Sequence, residues 1–131
     1  MQTETQGGEV TLGWAIRRNQ RKALLAQFPP AYPKVVADHV TLRPHAAPAD
    51  PLPAERHGEI IGRVDDEAGV EAMVVRIAGE TDRPGGGTYH ITWSLGEDRR
   101  AIESNTALER YGWASLPEPI PVELEPSRFP G

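Results

Sequence analysis

Two short stretches of this chain place an imidazole and a hydroxyl at the same spacing: His39-Val40-Thr41-Leu42 and His90-Ile91-Thr92-Trp93. Side chains in a strand alternate between faces, so residues i and i+2 point the same way. His39 is therefore expected beside Thr41, and His90 beside Thr92. Val40, Leu42, Ile91 and Trp93 turn to the opposite face. Histidine titrates near neutrality, so one ring can accept a proton while another donates one. Cleavage of a phosphate diester needs both acts, one on the attacking water and one on the leaving oxygen. It also needs donors for the non-bridging oxygens, where charge builds up, and the hydroxyls of Thr41 and Thr92 suit that task. By the same alternation Arg43 falls on the first histidine face and Ser94 on the second, as further phosphate contacts.

Trp113, next to Gly112, and Tyr32, between prolines, are candidates for stacking on a base, as aromatics do with unpaired nucleotides. Trp14 and Trp93 point away from the polar faces and are expected in the core. A metal site drawing on Asp38, His45, His57, Asp65 or Asp66 lacks recognisable ligand spacing, and no metal or other cofactor is expected. Gly85-Gly86-Gly87 is followed by a strand pattern and by no Lys-Ser or Lys-Thr, so it reads as a hinge and not as a phosphate cradle.

The elements that must position the two motifs are mostly short strands. Thirteen prolines and thirteen glycines in 131 residues indicate many turns. Val10 to Arg17 alternates, with Val10, Leu12, Trp14 and Ile16 on one face. A helix capped by Asn19 is expected to run to about Phe28, where Pro29-Pro30 stops it. Arg17, Arg18, Arg21 and Lys22 make it the main basic cluster, read first as a solvated helix start and second as a phosphate-contacting patch. Lys34 to Arg43 reads as one strand and Pro44 to Pro53 as a loop. Ile60 to Val64 and Val70 to Ala78 form a hairpin across an acidic turn. Thr88 to Leu95 is the strand of the second motif. A helix is expected within Arg99 to Gly112, capped by Ser104 or Asn105. Pro117 to Pro121 should block regular structure, leaving an edge strand from Pro121 to Glu125.

Length and charge bound the rest. The chain is long enough for one domain with its own core, expected over 9–131, with Met1 to Gly8 as a flexible polar tail. There is no cysteine, which rules out disulfides and thiolate chemistry. No apolar run approaches a membrane span, and a cytoplasmic protein without membrane partners is expected. A formal net charge of -5 argues against non-specific binding to long nucleic acid. It leaves room for a small nucleotide or an RNA end held by a local cluster of donors. Oligomeric state is not legible.

The paired tetrapeptides resemble the two His-x-Thr-x signatures of the two-histidine (2H) phosphoesterase superfamily. Its members include RNA 2',3'-cyclic phosphodiesterases, the corresponding domain of tRNA ligases, and phage enzymes that destroy cyclic oligonucleotides. The resemblance implies a small bilobal α+β fold, with curved antiparallel sheets around a central groove and one or two flanking helices. It implies metal-independent hydrolysis of an RNA 2',3'-cyclic phosphate end or a small cyclic oligonucleotide, with His39 and His90 as acid and base. Ser104-Asn105 is similar to a Ser-Asn that follows the second motif in some tRNA ligase domains. The second motif ends in Trp93, where a smaller aliphatic residue is common in the family. The alternative is a non-catalytic module of the same fold that binds a nucleotide or RNA end; retention of all four motif residues favours the enzyme.

Overall fold

Alternation in the first segment produces the expected strand, β1 (Val10–Ala15), which buries Leu12 and Trp14. The computed structural model describes residues 9–130, so the expected tail, Met1 to Gly8, lies outside the described residues. Helix α1 (Arg18–Gln27) follows and ends before the proline pair. Asn19 is not its cap: Arg17 holds that position, and the Asn19 carboxamide accepts from the N–H of Gln20 at 2.9 Å. Buried Leu24, with Leu25 and Phe28, anchors the helix to the core.

The expected strand from Lys34 to Arg43 is divided. Lys34–Val35 (β2) belongs to one sheet and His39–Ala46 (β3) to the other. The turning point is Ala37, whose φ of 45° is left-handed. β4 (His57–Asp65) and β5 (Val70–Arg76) form the expected hairpin, and β6 (His90–Leu95) carries the second motif. Helix α2 spans Glu103–Tyr111, with Ile102 at the cap position that Ser104 or Asn105 was expected to fill.

The proline-rich C-terminal segment is more regular than its composition indicates. β7 (Ala114–Glu123) pairs with β4, and β8 (Glu125–Pro130) pairs with β1. Both are edge strands, where a residue without an N–H is tolerated. Along β7 the pairing steps from Ser115 opposite Gly62 to Ile120 opposite Ile60, so the segment around Pro117 and Pro119 bulges out of the ladder.

The protein is α+β, with every strand pairing antiparallel. One sheet has the order β3-β1-β8 and the other β2-β6-β5-β4-β7. The main core joins the sheets: Trp14 and Val40 from the first meet Met73, Val75, Ile91 and Trp93 from the second. A second cluster lies on the opposite face of the larger sheet, where Ala72, Val74 and Leu95 pack against Ala107 and Leu108 of α2. Each such large apolar side chain contributes roughly 1.5–3 kcal/mol when fully buried. Together these clusters fix where β3 and β6 stand.

Candidate active site

The two motifs meet because of how the chain changes sheets. β2 runs beside β6, and the contact continues past it: Val36 N–H donates to Trp93 O at 2.9 Å and Ala37 N–H to Thr92 O at 2.8 Å. Arg21 of α1 holds this crossing, its guanidinium donating to Ala37 O and Val36 O at 3.0 Å each. The chain then turns away through Ala37, and His39 opens β3 beside the second motif.

His39, Thr41, His90 and Thr92 all line one cavity of about 310 Å³. Val40 and Ile91 are fully buried behind it, Trp93 nearly so, and Leu42 packs partly buried against the same core. The alternation expected for each tetrapeptide therefore holds. Trp93 is accommodated by burial and by its indole N–H, which donates to Phe28 O at 2.9 Å.

The two imidazoles differ in environment. His90 is buried, and its Nδ1–H donates to the carbonyl of Thr88 at 2.8 Å. A carbonyl can only accept, so this bond assigns the proton to Nδ1 and leaves the lone pair on Nε2. Burial pushes the His90 pKa down, the Thr88 bond partly opposes this, and the charges of Arg83 and His39 lower it further. The ring is accordingly neutral at neutral pH. His39 is half-buried, stacks at a tilt 5.0 Å from Phe129, and sets Nδ1 against the Asp38 carboxylate. When protonated it is one half of an ion pair.

The Thr92 hydroxyl lies 2.8 Å from Ser104 Oγ and 3.3 Å from Ala101 O. If Ser104 donates, the Thr92 proton is directed at Ala101 O, a long bond that a ligand oxygen can replace. Ser104 is fully buried, so its hydroxyl can reach a ligand only through Thr92.

Thr11 and Arg83, which sequence reasoning missed, also line the cavity, together with His45, named only as a metal-ligand candidate, and Asn105. Arg83 precedes the glycine run, and its Nε donates to Gly86 O at 3.1 Å while Nη2 lies 3.5 Å from Asn105 Oδ1. Burial lowers the pKa of its guanidinium, and the nearby Tyr89 partly offsets this. The only signal for Arg83 was its position as the cation nearest the second motif on its N-terminal side. Asn105 belonged to the Ser104-Asn105 pair already noted.

Four expected contacts lie elsewhere. Ser94 is fully buried; its hydroxyl donates to Glu71 Oε1 at 2.6 Å and accepts from Tyr32 N–H at 3.1 Å. A bulge explains this: Ala72 pairs with Thr92 but Glu71 with Ser94, so one extra residue turns Ser94 onto the other face. The same device acts in β3, where Gly13 pairs with Thr41 but Leu12 with Arg43. Arg43 thus leaves the motif face and stands in a neighbouring hollow, 3.9 Å from Asp50. The Tyr32 hydroxyl donates to Asp65 at 2.5 Å. The Trp113 ring lies against Gly62, where a Cβ would come within 2.1 Å of Cδ1.

Among the described residues no group of three or more His, Cys, Asp or Glu converges as a metal-ligand set. Of the residues weighed for that role, Asp66 accepts from the N–H groups of Ala68 and Val70 in the acidic turn, and His45 pairs with Glu9 at 3.0 Å. Nor is any helix among them long and apolar enough to cross a membrane.

No protein-family model, curated protein or solved structure matches this chain.

Proposed function

We propose that this protein is a 2H-type phosphodiesterase that hydrolyses an RNA 2',3'-cyclic phosphate end or a small cyclic oligonucleotide without a metal ion. The observation that carries this is the convergence of His39, Thr41, His90 and Thr92, from two different sheets, on one cavity. Their environments divide the labour. His90, neutral and with its lone pair on Nε2, takes a proton from water as the water oxygen bonds to phosphorus. His39, paired with Asp38, gives a proton to the ribose oxygen as its bond to phosphorus breaks. The product is a phosphate monoester, and exchange with solvent restores both rings. Thr41, Thr92 and Arg83 donate to the non-bridging oxygens, where charge accumulates.

The test is to incubate the protein, with chelator present, against a panel of nucleoside 2',3'-cyclic phosphates, RNA ends and cyclic oligonucleotides. Turnover is expected, and His39→Ala or His90→Ala should each lower the rate about a hundredfold or more while circular dichroism shows the fold retained. Full activity in both variants removes the proposal. Tight binding without turnover of any panel member replaces the enzyme by a non-catalytic nucleotide or RNA-end binding module.

A further inference from the structure

Beside the histidine cavity lies a second hollow, of about 400 Å³, lined by Arg43, Pro44, Arg83, Pro84, Gly85 and Gly86. The two hollows share Pro44 and Arg83, so Arg83 stands at the boundary between them. The chain carries a net charge of -5, yet two arginines and no carboxylate line this hollow. Asp50 approaches Arg43 only at 3.9 Å, and its Oδ2 already accepts from the N–H of Ala47 at 3.0 Å. Arg83 is held in place by Gly86 O and lies next to Asn105. The bulge after Thr41 is what delivers Arg43 here and not to the histidines.

We infer that the Arg43–Arg83 hollow is a subsite for a second phosphate, so that the substrate carries another phosphate next to the scissile diester. This rests on the phosphodiesterase reading of the histidine cavity. Guanidinium groups bind phosphate through paired, charge-assisted hydrogen bonds. With Arg83 at the boundary, one guanidinium can serve both phosphates, while Arg43 serves the outer one alone. A nucleoside cyclic monophosphate leaves the second hollow empty. A dinucleotide or longer RNA ending in a cyclic phosphate fills it, and so does a cyclic dinucleotide.

Two measurements test this, one of them independent of catalysis. In calorimetry, adenosine 3',5'-bisphosphate is expected to bind about tenfold more tightly than either adenosine monophosphate, and Arg43→Gln to remove most of that preference. Arg110→Gln, the same charge change on the exposed side of α2, is expected to preserve it. In turnover, kcat/KM should favour the dinucleotide ApA with a 2',3'-cyclic end, or a cyclic dinucleotide, over adenosine 2',3'-cyclic monophosphate. Whichever is preferred identifies the source of the second phosphate. Arg43→Gln should compress the preference about tenfold. Equal binding of bisphosphate and monophosphates overturns the subsite even if diesters are cleaved. An equal loss in Arg110→Gln overturns it as well, since the effect is then general electrostatics. A bisphosphate preference that depends on Arg43, with no diester cleaved, upholds the subsite and removes the phosphodiesterase reading.

Discussion

The N–H of Ala37 donates to the carbonyl of Thr92 at 2.8 Å, and this bond ties the end of one chain segment to the middle of the second motif. Two residues later His39 begins the strand of the first motif. The approach of the two motifs is thus fixed by a local crossing between sheets as well as by the shared core.

Arg21 is the side chain that closes this crossing, through its bonds to Val36 O and Ala37 O. Arg21→Ala is expected to lower stability by about 1.5–3 kcal/mol, the range for hydrogen bonds that involve a charged group. It should reduce kcat more than it raises KM, because the distance between the two rings is what loosens. An unchanged kcat in a destabilised variant would show that the crossing supports the fold alone.

The environment of His90 makes stability depend on pH in a known direction. Its folded pKa lies below the ordinary value of 6.5. As pH falls below about 6.5, the unfolded chain takes up this proton first. The native state therefore keeps its full advantage above that value and loses it as pH drops through the depressed one. Urea denaturation between about pH 7.5 and 5 should show a steeper acid loss for the wild type than for His90→Gln. Identical slopes would mean that burial does not penalise the charged ring. The acid limb of the rate profile should likewise lie below pH 6.5, where the base becomes protonated.

Ser104 is expected to act through Thr92. Ser104→Ala removes the 2.8 Å contact with Thr92 Oγ1 and should cost about 1 kcal/mol of stability. The rate should fall about tenfold, and Thr92→Val should fall further, since it removes the hydroxyl proposed to meet the phosphate. In the Thr92→Val background, Ser104→Ala should have little further effect on rate. Additive losses would place Ser104 on the substrate independently.

Ser94 and Glu71 are expected to matter for folding. Glu71 is almost fully buried and receives Arg63 Nη2 at 2.7 Å, Ser94 Oγ at 2.6 Å and Ala31 N–H at 2.9 Å. Glu71→Leu leaves those donors unmatched and should cost roughly 2–4 kcal/mol; Ser94→Ala should cost about 1 kcal/mol. Chemical denaturation measures both. Ser94→Ala should keep its turnover rate within about twofold. A tenfold loss of rate without loss of stability would return Ser94 to the phosphate.

Much of this arrangement was legible from local rules. Two-residue periodicity placed His39 with Thr41 and His90 with Thr92, and put Val40, Ile91 and Trp93 in the core, because side-chain direction in a strand follows from the backbone alone. It failed one step further along each strand. A bulge depends on the partner strand's register, and nothing within Thr41-Leu42-Arg43 or Thr92-Trp93-Ser94 announces one. The prolines from Pro117 to Pro121 argue locally against a strand, yet β7 accommodates them, because the sequence does not say which strand will be an edge.

By itself, the sequence determined the chemical groups, the face each motif presents and the antiparallel α+β character. The tertiary structure decided which faces meet, which imidazole is buried and neutral, and that Arg83 and Asn105 join the cavity. It also sent Arg43 to a hollow of its own. These depend on long-range pairing and desolvation, which arise only when segments distant in the chain are packed together.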